Sequence, residues 1–202
     1  DNSTVTEGTI TLTDVTLEDN FVGPAPGNGG GLHITGPGNA TITDGTVANN
    51  TATLEGGGLW NGSGSMTVDG TLIDGNTASG DMANEGGGGI FNAGGTLDVS
   101  NATISNNVAD GSAGSGGGIL NDQGTLSVST SIISDNTSVR AGGGIEDNSV
   151  AGNTTLLSAV DFLNNSTASS PGNGGGLHVT GPGNTNILGG TVVGNTAALE
   201  GG

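Results

Sequence analysis

Three aspartates, Asp69, Asp74 and Asp98, fall at intervals that repeat stacking would bring onto neighbouring levels. Glycoside hydrolysis needs such a carboxylate pair at controlled separation, one acting as acid and the other as base or nucleophile. A lyase acting on acidic sugars would also need basic groups, and the chain offers only Arg140, with no Lys and no Tyr. Glu55 and Glu85 each stand immediately before a glycine run, as Glu200 does. Two carboxylates stacked at a strand spacing of about 5 Å repel unless a cation or water separates them. Oxygen ligands from Gly/Asn loops suit a hard ion, so Glu55 and Glu85 are the candidate calcium ligands. The aspartate-bearing nonapeptide of calcium-binding toxin repeats is missing, and no catalytic or cofactor motif stands out.

A second set of residues could do recognition. His33, Trp60, Phe91, Leu120, Glu146 and His178 each follow a glycine-aliphatic motif by one position. If the aliphatic residue points inward, this column points outward, and it carries the chain's only Trp. An outward His33-Trp60-Phe91-Leu120 stripe reads as a contact for another rod, a platform for a cell-surface glycan, or a strip covered by a loop. The two histidines read as surface residues. A Thr-x-Thr face, the pattern of an ice-binding solenoid, starts well at Thr11/Thr13 and Thr41/Thr43. It then decays to Thr67/Asp69 and Asp98/Ser100.

Charge removes other classes. The net charge is −18, with one Lys or Arg against nineteen carboxylates, so nothing could neutralise phosphates and nucleic acid is excluded as a partner. No apolar run approaches the roughly 18 residues of a spanning helix. The chain has no Cys, which removes disulfides and thiolate chemistry together.

What positions all these residues is a repeat. Glycine triplets followed by an aliphatic end at Leu32, Leu59, Ile90, Ile119, Ile145 and Leu177, spaced 27, 31, 29, 26 and 32 apart. In step with them runs aliphatic-x-x-Asn, ending at Asn20, Asn50, Asn76, Asn107, Asn136, Asn165 and Asn195. Eight residues before each Asn stands Leu12, Ile42, Val68, Val99, Val128, Leu157 or Ile187. Around that column apolar and polar residues alternate, the mark of a half-buried strand, and no segment shows a helical period. A unit of 26–32 residues cannot bury its own apolar face, but stacked copies can. The expected fold is all-β: a right-handed parallel β-helix of about seven coils, three short strands per coil. The seven asparagines should stack as a ladder at a turn, Asn tolerating the left-handed conformation such a turn needs. Asn61, Asn92, Asn121 and Asp147 form a second such column.

A longer period is also present. Residues 27–57 match residues 172–202 at 23 of 31 positions, an offset of 145 residues or five coils, and Asp1-Asn2-Ser3 resembles Asp147-Asn148-Ser149. Residues 1–202 therefore read as one continuous solenoid cut from a longer array, with Asp1 an internal or processed start.

The glycine-aliphatic and aliphatic-x-x-Asn motifs together resemble the repeats of the polymorphic outer-membrane proteins and related adhesin-type passenger domains, over nearly the whole chain. Phe162 keeps the aromatic of that family's F-x-x-N; the other copies carry Val, Ile or Leu. The resemblance implies a right-handed parallel β-helix displayed at the cell surface. The function expected is non-enzymatic: a structural or adhesive segment of a secreted or surface protein, whose partners are itself or neighbouring repeats, end to end or laterally, a surface glycan or a host protein. It could polymerise into an extracellular filament. The alternative is a glycan-binding or glycan-hydrolysing β-helix.

Overall fold

The computed structural model describes residues 8–24, 26–169 and 171–202; Asp1–Ser3 lie outside them. Among the described residues there are strands and no helix. Every strand pair is parallel, and the chain winds as a β-solenoid of six complete turns, with its largest sheet beginning a seventh. Parallel crossovers of this kind turn right-handed.

Three sheets form the walls. The first is built in the early coils from strand pairs such as Thr9–Thr13 with Thr16–Glu18, and in the last three coils from single ten-residue strands, Thr125–Ser134, Thr154–Leu163 and Asn184–Val193. The second contains only two-residue strands, from Phe21–Val22 to Ser166–Thr167, and the third runs from Leu32–Ile34 to Leu177–Val179. The Leu12 and Leu17 columns, which the sequence places on separate strands, share the first sheet. The second sheet follows each ladder Asn and is too short to show a period of two.

Register is kept across all rungs of the first sheet: Leu12, Ile42, Val68, Val99, Val128, Leu157 and Ile187 pair in succession. Ile42, Val68, Val99, Val128 and Leu157 and the Leu59, Ile90, Ile119 and Ile145 column make one aliphatic core, with Leu12 packed against it. Unequal repeat lengths are absorbed in the loops between sheets, so the walls stay in phase. This is how a core only a few side chains wide stays continuous.

Candidate functional site

The conformation that turns the chain at the asparagine ladder does not fall on the ladder residues. It falls one position earlier: Asp19, Asn49, Gly75, Asn106, Asp135, Asn164 and Gly194 all have positive φ. A second such column, Asp14, Asp44, Gly70, Asn101, Thr130, Ala159 and Gly189, bends the first sheet five residues before. A left-handed residue just before the Asn reverses the backbone so that the Asn side chain enters the core.

There the amides stack. Asn107 donates from its backbone N–H and its Nδ2 to Asn136 Oδ1, both at 2.9 Å, and Asn76 donates to Asn107 Oδ1 in the same way, again at 2.9 Å. The second hydrogen on each Nδ2 goes to the carbonyl of the aliphatic residue one coil back: Asn107 to Ile73 at 3.0 Å, Asn136 to Ile104 at 2.9 Å. The same pattern runs from Asn20 and Asn50 through Asn165 to Asn195. The motif spacing thus has a cause: the aliphatic residue three positions before each Asn supplies the carbonyl that the next Asn needs.

The second column stacks too. Asn61 donates to Asn92 Oδ1 at 2.7 Å, Asn92 to Asn121 at 2.8 Å and Asn121 to Asp147 at 2.9 Å. The donors all point the same way, so the last member need only accept. Asp147, fully buried, does so, its carboxylate also taking Ser149 N–H and Thr185 Oγ1. At the other end Asn61 Oδ1 is buried without a donor, because its pairing neighbour is Ile34.

The expected outward stripe is closed to solvent over part of its length. Phe91 is 2% exposed and Leu120 is 1% exposed, although both lie outside the aliphatic core. His33 meets Trp60 edge-on at 4.5 Å, and Trp60 lies parallel to Phe91 with ring centroids 6.2 Å apart. Residues just before two of the glycine triplets, Glu55 and Arg140, reach this column. Trp60 Nε1 donates to Glu55 Oε2 at 2.9 Å. Arg140 reaches Glu146 Oε1 at 3.1 Å, while its Nε donates to Ser115 Oγ. Sequence alone left this cover open because it depends on loops of unequal length.

Glu146 continues the column as a fully buried carboxylate. Thr180 Oγ1 donates to Oε1 at 2.7 Å and His178 Nδ1 lies 2.8 Å from Oε2, beside the Arg140 contact. The chain's only Arg therefore pins three coils around one acid. Arg140→Met is expected to lower unfolding free energy by about 2 kcal/mol, less than for a fully buried pair because Thr180 and His178 still face the carboxylate. Adding Glu146→Gln should return most of that loss in denaturant titrations; additive losses would show that the two side chains are not coupled.

The calcium candidates turn inward to their own loops. Besides the Trp60 contact of Glu55, Glu85 Oε2 accepts Met82 N–H at 2.9 Å, and among the described residues no three His, Asp or Glu gather as metal ligands. Each of these bonds engages one carboxylate oxygen, Oε2. Burial, then proximity to Glu85 and Asp122, hold the Glu55 carboxyl above its usual value against the Trp60 hydrogen bond. Its contribution to stability is thus fully present at low pH and is lost as pH rises through the raised value. Glu55→Gln, always neutral, is expected to raise the denaturation midpoint near pH 7 and to leave it unchanged near pH 4. Equal shifts at both would contradict the burial effect.

Of the aspartates considered for acid–base chemistry, Asp69 accepts Ser100 Oγ and Asn101 Nδ2, each at 2.7 Å, which holds its carboxyl below the usual value. Asp74 is engaged likewise by Ser105 and Asn106, at 2.6 and 2.7 Å. Asp98 sits outward on the first sheet, paired with Thr67 and Ser127 and not with either acid. The side chains with chemical potential are thus mostly engaged in coil-to-coil bonds. No protein-family model, curated protein or solved structure matches the chain, so the functional argument rests on this geometry.

Proposed function

We propose that the chain is a stiff structural segment of a secreted or surface-displayed protein, akin to the adhesin-type repeats its motifs resemble. It spaces or presents other parts and performs no catalysis of its own. The observation that carries this reading is the use of the polar interior. Two amide columns cross the rod and bond each coil to the next, so the asparagines serve stacking. A net charge of −18 keeps the outside hydrated and acidic, as suits an exposed surface. Broad-specificity proteases should leave the stacked coils uncut outside their loops. Release of reducing sugar from a panel of neutral polysaccharides, abolished by Asp98→Asn, would overturn it in favour of a glycan-active β-helix.

A further inference from the structure

We propose that the cavity walled by Asp122 and Gln123 takes a primary ammonium group on a short aliphatic stem, as a lysine side chain or a small alkylamine presents it. The proposal goes beyond the rod reading, because it concerns two middle coils and not how the rod is used.

The cavity has its cause in turn lengths. The chain passes from the third sheet to the first through turns that differ from coil to coil. Two residues, Gly94 and Gly95, join Ile90–Ala93 to Thr96–Ser100, and again two, Gln123 and Gly124, join Ile119–Asp122 to Thr125–Ser134. The next coil takes five, residues 149–153. This longer turn reaches back to the short ones, Asn153 Nδ2 donating to Gln123 O at 2.7 Å. Beside them lies a cavity of about 180 Å³ lined by Ala93, Gly94, Asp122 and Gln123. Drug-sized ligands fill about 300 Å³ or more, so the space suits a small group or the end of a side chain.

Its wall holds a carboxylate with spare capacity. Asp122 is 9% exposed. Its Oδ1 accepts Asn148 Nδ2 at 2.7 Å, but Oδ2 has only Gln123 Nε2 at 3.4 Å, beyond the range of about 2.7–3.2 Å of a good N–H···O bond. The other buried acids among the described residues are better served. Glu146 has Arg140 and His178, and Asp147 has three donors. Arg140 is the chain's only Lys or Arg, and it is committed to Glu146. A buried carboxylate without a cation is costly, and a cation from outside removes that cost. Gln123 holds φ +63°, a conformation glycine adopts more easily, and Gly94 fills the corresponding place one coil earlier. What Gln123 adds there is an amide whose Oε1 can accept.

The class of cation follows from the donors. Among the described residues no three His, Asp or Glu gather, whereas calcium takes about six to eight oxygen ligands. A guanidinium forks onto both oxygens of a carboxylate, and Oδ1 is already taken by Asn148. An ammonium needs one carboxylate oxygen and neutral acceptors, which Asp122 Oδ2 and Gln123 Oε1 provide. Ala93 and Gly94 offer carbon to the stem. The net charge of −18 draws cations toward the wall.

NMR titration of isotope-labelled protein with Nα-acetyl-lysine methylamide and with n-butylamine tests this. Both should shift the amide signals of Gly94, Gln123 and Gly124 saturably, with Kd on the order of 1–10 mM. Tighter binding of the lysine amide would assign the site to a lysine of a partner protein, and tighter binding of n-butylamine to a free small amine. The corresponding arginine amide should bind more weakly than either. Asp122→Asn, which keeps an oxygen for Asn148, should weaken binding at least about tenfold. Gln123→Gly should weaken it without lowering the denaturation midpoint, since glycine suits the backbone there. Binding of n-butanol as tight as that of n-butylamine, an unsaturable drift spread over the acidic surface, or unchanged affinity in Asp122→Asn would overturn the proposal. None of these results bears on the rod, which stands on its coil-to-coil bonds.

Discussion

Asn107→Leu is expected to lower unfolding free energy by roughly 3–6 kcal/mol, more than any other side-chain change considered for this rod. Leucine has a similar volume, so the effect is not a cavity. Asn107 Oδ1 receives both Asn76 N–H groups, and Asn107 Nδ2 supplies Ile73 O and Asn136 Oδ1. The substitution leaves the Asn76 backbone N–H and one Asn76 Nδ2–H buried with nothing to accept them, each costing about 1–3 kcal/mol, besides the lost bonds to Ile73 O and Asn136 Oδ1. Asn20→Leu, at the exposed end of the same ladder, should cost less than about 1 kcal/mol, because water replaces what is lost. Denaturant titrations of both variants decide the matter. Equal losses at the two positions would show that the ladder is not what binds the coils.

The second large effect is steric. A Cβ on Gly117 would run into Gly143 O and lie 2.6 Å from both C and O of Thr137. All of these are backbone atoms on both sides of the crevice, so no rotamer change can relieve them. Gly117→Ala should therefore cost about 3 kcal/mol or more and prise apart two coils. Gly94→Ala is the control: its φ is +78°, but a Cβ there meets nothing within 4 Å, so only the left-handed penalty of about 1 kcal/mol applies. A Gly117→Ala variant as stable as Gly94→Ala would mean that the coils are less tightly apposed than the glycine geometry requires.

These two predictions come from the same motifs that made the fold readable. The aliphatic columns at Leu12, Leu17 and Leu32 recur at fixed offsets, and fixed offsets can only be satisfied by stacking. The third sheet's strands after the glycines were legible for that reason. The second sheet was not, since strands of two residues such as Thr51–Ala52 carry no period. Positive φ also falls elsewhere than the ladder asparagines suggest. Asn165 looks like the residue that must turn left-handed, yet Asn164 takes that conformation so that Asn165 can face inward. Two adjacent asparagines give the sequence no means of separating those roles.

Stacking itself, then, follows from the sequence alone: seven asparagines and six glycine triplets in phase leave a chain of this composition no other way to bury its aliphatic residues. What lies over the stack was decided only in three dimensions. Whether Phe91, Leu120 and Glu146 face water depends on loops of different length and on the reach of Arg140 across coils. The register of a repeat is a local regularity that recurs in the sequence. A loop's cover is a contact between residues unrelated by the repeat, and its energy exists only once the coils beneath have been set in place.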